Sequence, residues 1–299
     1  MKKYSNLEFC VKNPHFSYIS GSRLYGMDTL ESDIDIRAWT IPPFEYLIGV
    51  KNFECAELEG DNKVYSLKRF LQLALKGDSI VTEGLFVPEN KIVNITELGK
   101  SILNLKNDIV SNAIFWRIMG YSIGEWRKAM AIKIVPKRWK KEKHEVINNI
   151  RNLWHPDKQT MDRIIENLED IDEVKVVSSQ AGLGTKRKKD VEQYGFCRKS
   201  AAHSIRLVKQ ITELMRTGVM TFPRPDAQIL LDIRYGKYTK EELEEIHDDV
   251  VVEAKMCRER SVLPDKPNEK KIWKVYKEMV KNIIKDDVFH LETNCNSYF

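Results

Sequence analysis

Gly21-Ser22-Arg23-Leu24-Tyr25-Gly26, followed after a short spacer by Ser32-Asp33-Ile34-Asp35-Ile36-Arg37, is the stretch on which the reading of this 299-residue chain turns. Phe16-Ser17-Tyr18-Ile19-Ser20 reads as a strand entering a glycine turn, and Asp33 to Trp39 as the strand that follows it. Side chains two apart on a strand share a face, so Asp33 and Asp35 are expected to point the same way. Two carboxylates on one face repel each other unless a cation sits between them, and hard oxygen ligands suit Mg²⁺ or Mn²⁺. Gly21 allows close backbone approach to a phosphate, and Ser22 adds a hydroxyl and an N–H donor. The competing reading is a polar turn beside a surface strand with two solvated acids. Four elements coinciding in order and spacing weigh against it.

These residues resemble the nucleotidyltransferase superfamily that includes polymerase-beta-like and kanamycin-nucleotidyltransferase-like enzymes. Its Gly-Ser, spacer, Asp-x-Asp hallmark stands here as Gly21-Ser22 and Asp33-Ile34-Asp35. The fuller form, GSRLYG with SDIDIR, a later KSAAHSIRLVKQ segment (199–210) and a PRPD turn (223–226), is similar to the phage and bacterial "predicted nucleotidyltransferase" group. The superfamily resemblance covers residues 1–90 and the group resemblance extends to residue 265.

The resemblance implies transfer of a nucleoside monophosphate from an NTP or dNTP to an acceptor hydroxyl, with release of pyrophosphate. Asp33 and Asp35 would hold the Mg²⁺ or Mn²⁺. Gly21, Ser22 and the Ser32 that opens the second motif would bind the nucleotide phosphates, with Arg23 or Arg37 adding a charge-assisted contact. Arg37 has the parity of Asp33 and Asp35, so a structural ion pair with those carboxylates is the alternative. The acceptor stays open. An RNA end leads; nucleotidylation of a partner protein by a toxin- or defence-type enzyme, and a non-catalytic nucleic-acid-binding relative, are the alternatives.

Superfamily members place a third acid on a neighbouring strand as general base. Here Glu57, Glu59 and Asp61 share a parity in the next β-like segment, while the group's own position falls near Lys63, which cannot ligate a metal. Asp61 is the first candidate. Glu83, in Thr82-Glu83-Gly84-Leu85-Phe86, is the second.

Further along, Lys199, His203, Arg206 and Gln210 fall at i, i+4, i+7 and i+11 of a helical pattern and form one stripe. By the group resemblance, Lys199, His203 and Arg206 would grip the triphosphate; an ordinary exposed basic face is the alternative. Pro223-Arg224-Pro225-Asp226 reads as a rigid turn opening a helix, either structural or near substrate.

Period and composition complete the expectation. Short β-like runs precede residue 60 and helical periodicity dominates after residue 96, which predicts an α+β fold: a small mixed-sheet nucleotidyltransferase domain over 1–95 and a larger all-helical domain over 96–299. Apolar content of 42% and charged content of 31% exclude wholesale disorder. Five scattered cysteines without a C-x-x-C pair argue for reduced thiols. With no long apolar run, the expected location is cytoplasmic, a host cytoplasm if the chain is phage-encoded, without a membrane. The net charge of +5 concentrates in KIVPKRWKKEK (133–143) and KRKK (186–189), candidate contacts for RNA or DNA, with Trp139 available to stack on a base.

Overall fold

The computed structural model describes residues 14–30, 32–136, 158, 161, 174–178 and 184–295, with backbone only at 132–136, 174–178, 186 and 286–295. In chain order the first region contains β1 (Phe16–Ser20), α1 (Ser22–Tyr25), β2 (Asp35–Thr40), α2 (Phe44–Leu47), β3 (Cys55–Glu57), β4 (Lys63–Ser66), α3 (Leu67–Leu75), α4 (Ser79–Glu83) and β5 (Ile92–Ile95). The strands form one mixed sheet in the order β3-β4-β2-β1-β5. β2 runs antiparallel to β1 and parallel to β4.

Helices then take over: α5 (Glu97–Leu103), α6 (Lys106–Ile109), α7 (Ile114–Ala129), α8 (Thr185–Tyr194), α9 (Arg198–Thr217), α10 (Ala227–Arg234), α11 (Lys240–Glu259) and α12 (Glu269–Cys295). The architecture is α+β, as the change of period predicts. One antiparallel strand pair, β6 (Ile132–Pro136) with β7 (Val174–Ser178), lies among the helices. Ile132, Ile134 and Val135 are β-branched and favour the pleat.

Local chemistry sets many of the boundaries. Ser66 caps α3 by accepting from Arg69 N, and Asp78 caps α4 by accepting from Val81 N. Thr239 and Glu242 form a reciprocal capping box at the start of α11.

Two compact units are distinguished: Met1–Glu125 with Ala202–Phe299, and Trp126–Ala201. The first unit holds the main core. Phe16, Tyr18 and Trp39 from the sheet are fully buried in the same cluster as Leu67, Phe70 and Leu71 of α3 and Leu207, Val208, Ile211 and Leu214 of α9. Removing such side chains from water contributes on the order of 2–5 kcal/mol each. The part of α9 in this unit is apolar on several sides and accordingly lies deep in the core. Within the second unit, Arg198 holds Asp190 through Nε and Nη2 at 3.1 and 2.7 Å and stacks on Tyr194.

Candidate active site

β1 delivers the chain to Gly21, whose φ of 66° and ψ of −151° fall in a region open essentially to glycine alone. The register pairs Ser20 with Asp35, so the turn begins directly opposite the first residue of β2. A Cβ at residue 21 would stand 2.1 Å from Asp35 Oδ2. The glycine backbone and the Asp35 carboxylate are therefore in contact, and no side chain fits between them. Asp33 lies two residues ahead of β2 and is exposed, while Asp35 is half-buried. The strand starts at Asp35 rather than at Asp33, so the shared strand face anticipated for the two acids reduces to adjacency at one strand end.

The single helical turn α1 follows, closed by Gly26 in the left-handed conformation and by Met27 N donating to Ser22 O. A Cβ at Gly26 would meet Pro223 Cβ at 2.8 Å. Arg224 N donates to Tyr25 O, and Arg234 Nη1 donates to Met27 O. The PRPD turn thus clamps the glycine loop from behind. Arg224, itself buried, is held by Glu213 and by Asp226 at 3.0 Å. Periodicity alone carries no signal for this packing, because the partners are some two hundred residues apart.

Arg23 and Ser32 fasten the intervening loop. Arg23 Nη2 donates to Ser32 O at 2.8 Å and Nη1 lies 3.6 Å from Asp28. Ser32 Oγ accepts from Thr29 N at 2.8 Å.

Arg37 turns to Asp61 and not to the Asp-x-Asp pair. Its Nη2 lies 2.9 Å from Asp61 Oδ2, and Nη1 donates to the Asp61 carbonyl. Burial works against the guanidinium charge, but the Asp61 hydrogen bond and charge outweigh it and hold the Arg37 pKa up. The parallel register sets Arg37 beside Lys63. Asp61 lies in the turn just before β4, and Ile36 N donating to Asn62 Oδ1 at 2.7 Å ties that turn to β2. Lys63 occupies the strand position itself, 3.5 Å from Glu57 and 3.9 Å from Asp61. Glu59 is exposed.

Glu83 sits elsewhere. It is fully buried at the end of α4, with Oε1 accepting from Arg206 Nη1 at 2.8 Å and from Gln210 Nε2 at 3.1 Å. Its Oε2 accepts from Tyr25 Oη at 2.7 Å, and the Arg206 guanidinium stacks 3.8 Å from the Tyr25 ring centroid. Burial and the neighbouring Glu83 push the Tyr25 phenol far above its usual range, so it stays neutral and donates. Burial opposes the charge on Arg206, but Tyr25 and Glu83 together hold its pKa up. Glu83, Arg206 and Gln210 form a closed buried network against α1.

Of the other stripe residues, His203 is half-buried, with Nδ1 3.8 Å from Glu125 Oε2 and its ring edge-on to Tyr121. Lys199 is exposed on the portion of α9 that belongs to the second unit. Arg187, Lys188 and Lys189 are exposed on α8. Residues 137–143 with Trp139, and the side chains of 133–136 and Lys186, lie outside the described residues.

Among the described residues no three His, Cys, Asp or Glu side chains converge into a ready-made metal cluster. Mg²⁺ does not require one: it is bound by one or two carboxylates, waters and substrate phosphates. The Asp35 carboxylate against the Gly21 backbone, with the exposed Asp33 two residues ahead of it, fits that donor set. Cys55, Cys197 and Cys257 are free thiols. No helix among the described residues is long and apolar enough to cross a membrane.

Comparison with known proteins gives two matches. The family model described as the RNA repair pathway DNA polymerase beta family covers residues 13–275. The chain is also 23% identical, over 286 residues, to an uncharacterized 38.9 kDa protein from the nrdC-mobD intergenic region of Enterobacteria phage T4. That alignment takes in 77% of this chain and 85% of the phage protein. No solved structure matches.

Proposed function

The chain belongs to the RNA repair pathway DNA polymerase beta family, and on that premise we propose that it transfers a nucleoside monophosphate from a nucleoside triphosphate to a hydroxyl at an RNA end. The observation that carries this reading is the contact between the Gly21 backbone and the Asp35 carboxylate, with Asp33 next to it. It sets a backbone turn without a side chain against one hard-oxygen ligand, with a second two residues ahead at the same strand end.

Asp33 and Asp35 are the residues that would hold Mg²⁺ or Mn²⁺, which when bound neutralises charge on the phosphates and lowers the pKa of the attacking hydroxyl. Gly21 admits the β- and γ-phosphates to the backbone, and the Ser22 hydroxyl donates to them. Asp61 accepts the proton of the acceptor hydroxyl at Oδ1, which Lys63 approaches only to 3.9 Å, while Oδ2 is held by Arg37 at 2.9 Å. Arg23 and Ser32 keep the loop between the two motifs in place. Glu83 and Arg206 set the position of α1 through Tyr25 and take no part in the chemistry. On this reading residues 1–95 carry catalysis, 96–299 support nucleotide and acceptor, and His203 meets the triphosphate. The T4 relative supports membership of a phage-type group and a host-cytoplasm setting.

The test is incubation with each labelled NTP or dNTP, total RNA and cell lysate, with and without Mg²⁺. Mg²⁺-dependent label on RNA is expected. Label on a protein band instead would move the assignment to a protein-modifying enzyme, and transfer surviving Asp33→Ala with Asp35→Ala would sink it.

A further inference from the structure

A second feature lies at the β3/β4 edge of the sheet that carries Asp35. The β2/β4 register sets Lys63 beside Arg37 and Tyr65 beside Trp39, so Lys63 stands two residues, roughly 6–7 Å, along the strands from the level of Asp35. There a cleft of about 620 Å³ opens between the β3/β4 edge and α3. That volume suits a nucleotide-sized group.

The lining carries four cations, Lys51, Lys63, Lys68 and Arg69, against one carboxylate, Glu54. Glu54 lies 3.7 Å from Arg69, and Lys63 is shared with Glu57 and Asp61. Lys51 and Lys68 are exposed and have no carboxylate partner among the described residues. Two aromatic rings stand among them: Tyr46, with Lys51 Nζ 5.6 Å from its ring centroid, and Tyr65. Burial pushes the Tyr65 phenol up to about 12, so it remains a neutral donor. Unpaired cations mixed with aromatic faces are what a single nucleic-acid strand recognises: phosphates on the charges, bases on the rings. An acidic peptide would answer the charges and leave the rings unused.

We propose that this cleft seats the acceptor as a single-stranded polynucleotide. Its backbone lies on Lys51, Lys63, Lys68 and Arg69, one base packs on Tyr46 or Tyr65, and its reactive end is directed along β4 toward Asp35 and Asp61. This rests on the reading that the acceptor is a nucleic acid.

The experiment is fluorescence anisotropy with labelled single-stranded RNA and DNA of about 12 nucleotides, titrated over roughly 50 to 200 mM salt. Lys51→Glu with Lys68→Glu is expected to weaken binding about tenfold or more at low salt. It should also reduce the slope of log affinity against log salt by at least about 1.4, the share of two phosphate contacts. Tyr46→Ala is expected to cost about fivefold or more. Melting curves of both variants establish that they are folded. Whichever of RNA and DNA binds more tightly identifies the sugar the cleft prefers. No oligonucleotide binding by the native chain, undiminished binding by the folded charge-reversed variant, or displacement by polyglutamate but not by unlabelled oligonucleotide would each overturn the assignment. Oligonucleotide binding that falls as expected, in a chain that transfers no label, would uphold the cleft and reject the donor chemistry instead.

Discussion

A methyl group at residue 21 would overlap the Asp35 carboxylate, and the backbone there has a glycine-only conformation. Gly21→Ala is therefore expected to cost about 1–3 kcal/mol from the backbone alone, and more as Asp35 is displaced. Nucleotidyl transfer should fall further than the melting shift accounts for when activity is measured well below the transition. Asp61→Asn keeps an acceptor for Arg37 but removes the proposed base. Turnover is expected to drop about 10²- to 10⁴-fold while Mg²⁺–nucleotide binding, followed by calorimetry, persists. At this scale the Gly-Ser and Asp-x-Asp pattern was legible, because its chemistry depends on residues adjacent in the chain. Arg37 was legible only as a cation near the motif. Its choice of Asp61 over Asp35 follows from the neighbouring strand, which β2 meets only after folding.

Between elements, the decisive feature is the closed network joining α1, α4 and α9. Glu83→Ala leaves the Arg206 charge buried and uncompensated, a loss of about 3–5 kcal/mol by chemical denaturation. Adding Arg206→Met should recover part of it, giving a coupling energy that an independent pair of sites would lack. Tyr25→Phe removes one hydrogen bond to a carboxylate and should cost about 1.5–3 kcal/mol. The Lys199-His203-Arg206-Gln210 stripe was readable from helical spacing, and α9 is one continuous helix. Spacing says which residues share a face but not what covers that face. The expected triphosphate grip at Arg206 meets a carboxylate of the protein itself, 123 residues away in sequence. Glu83 looked like a spare acid for the same reason: its partner cannot be seen locally.

Across the whole molecule, acid sensitivity should be governed in part by two histidines, the buried His247 and the half-buried His15. Burial lowers the pKa of His247, on α11, and of His15, beside Trp39, below the ordinary 6.5. Asp248 works in the opposite direction at His247 and is outweighed. The unfolded chain then binds protons at a higher pH than the folded one. These groups leave stability intact above pH 6.5 and remove it as pH falls from 6.5 toward the folded pKa. Melting temperature is expected to decline on acidification through that window, and His247→Gln should flatten the decline.

The sequence by itself determined the α+β class, the strand-turn-strand that carries Gly21 and Asp35, and the helical character of the chain after residue 96. Each follows from signals within a few residues: alternation, 3.6-residue periodicity and caps such as Ser66 and Thr239. Only the tertiary structure decided that Asp61 pairs with Arg37, that Glu83 neutralises Arg206, and that the PRPD turn braces the glycine loop at Gly26. Those outcomes depend on which distant charge and which distant surface exclude water from a given side chain. Burial of that kind exists only once the sheet and the helices share a core.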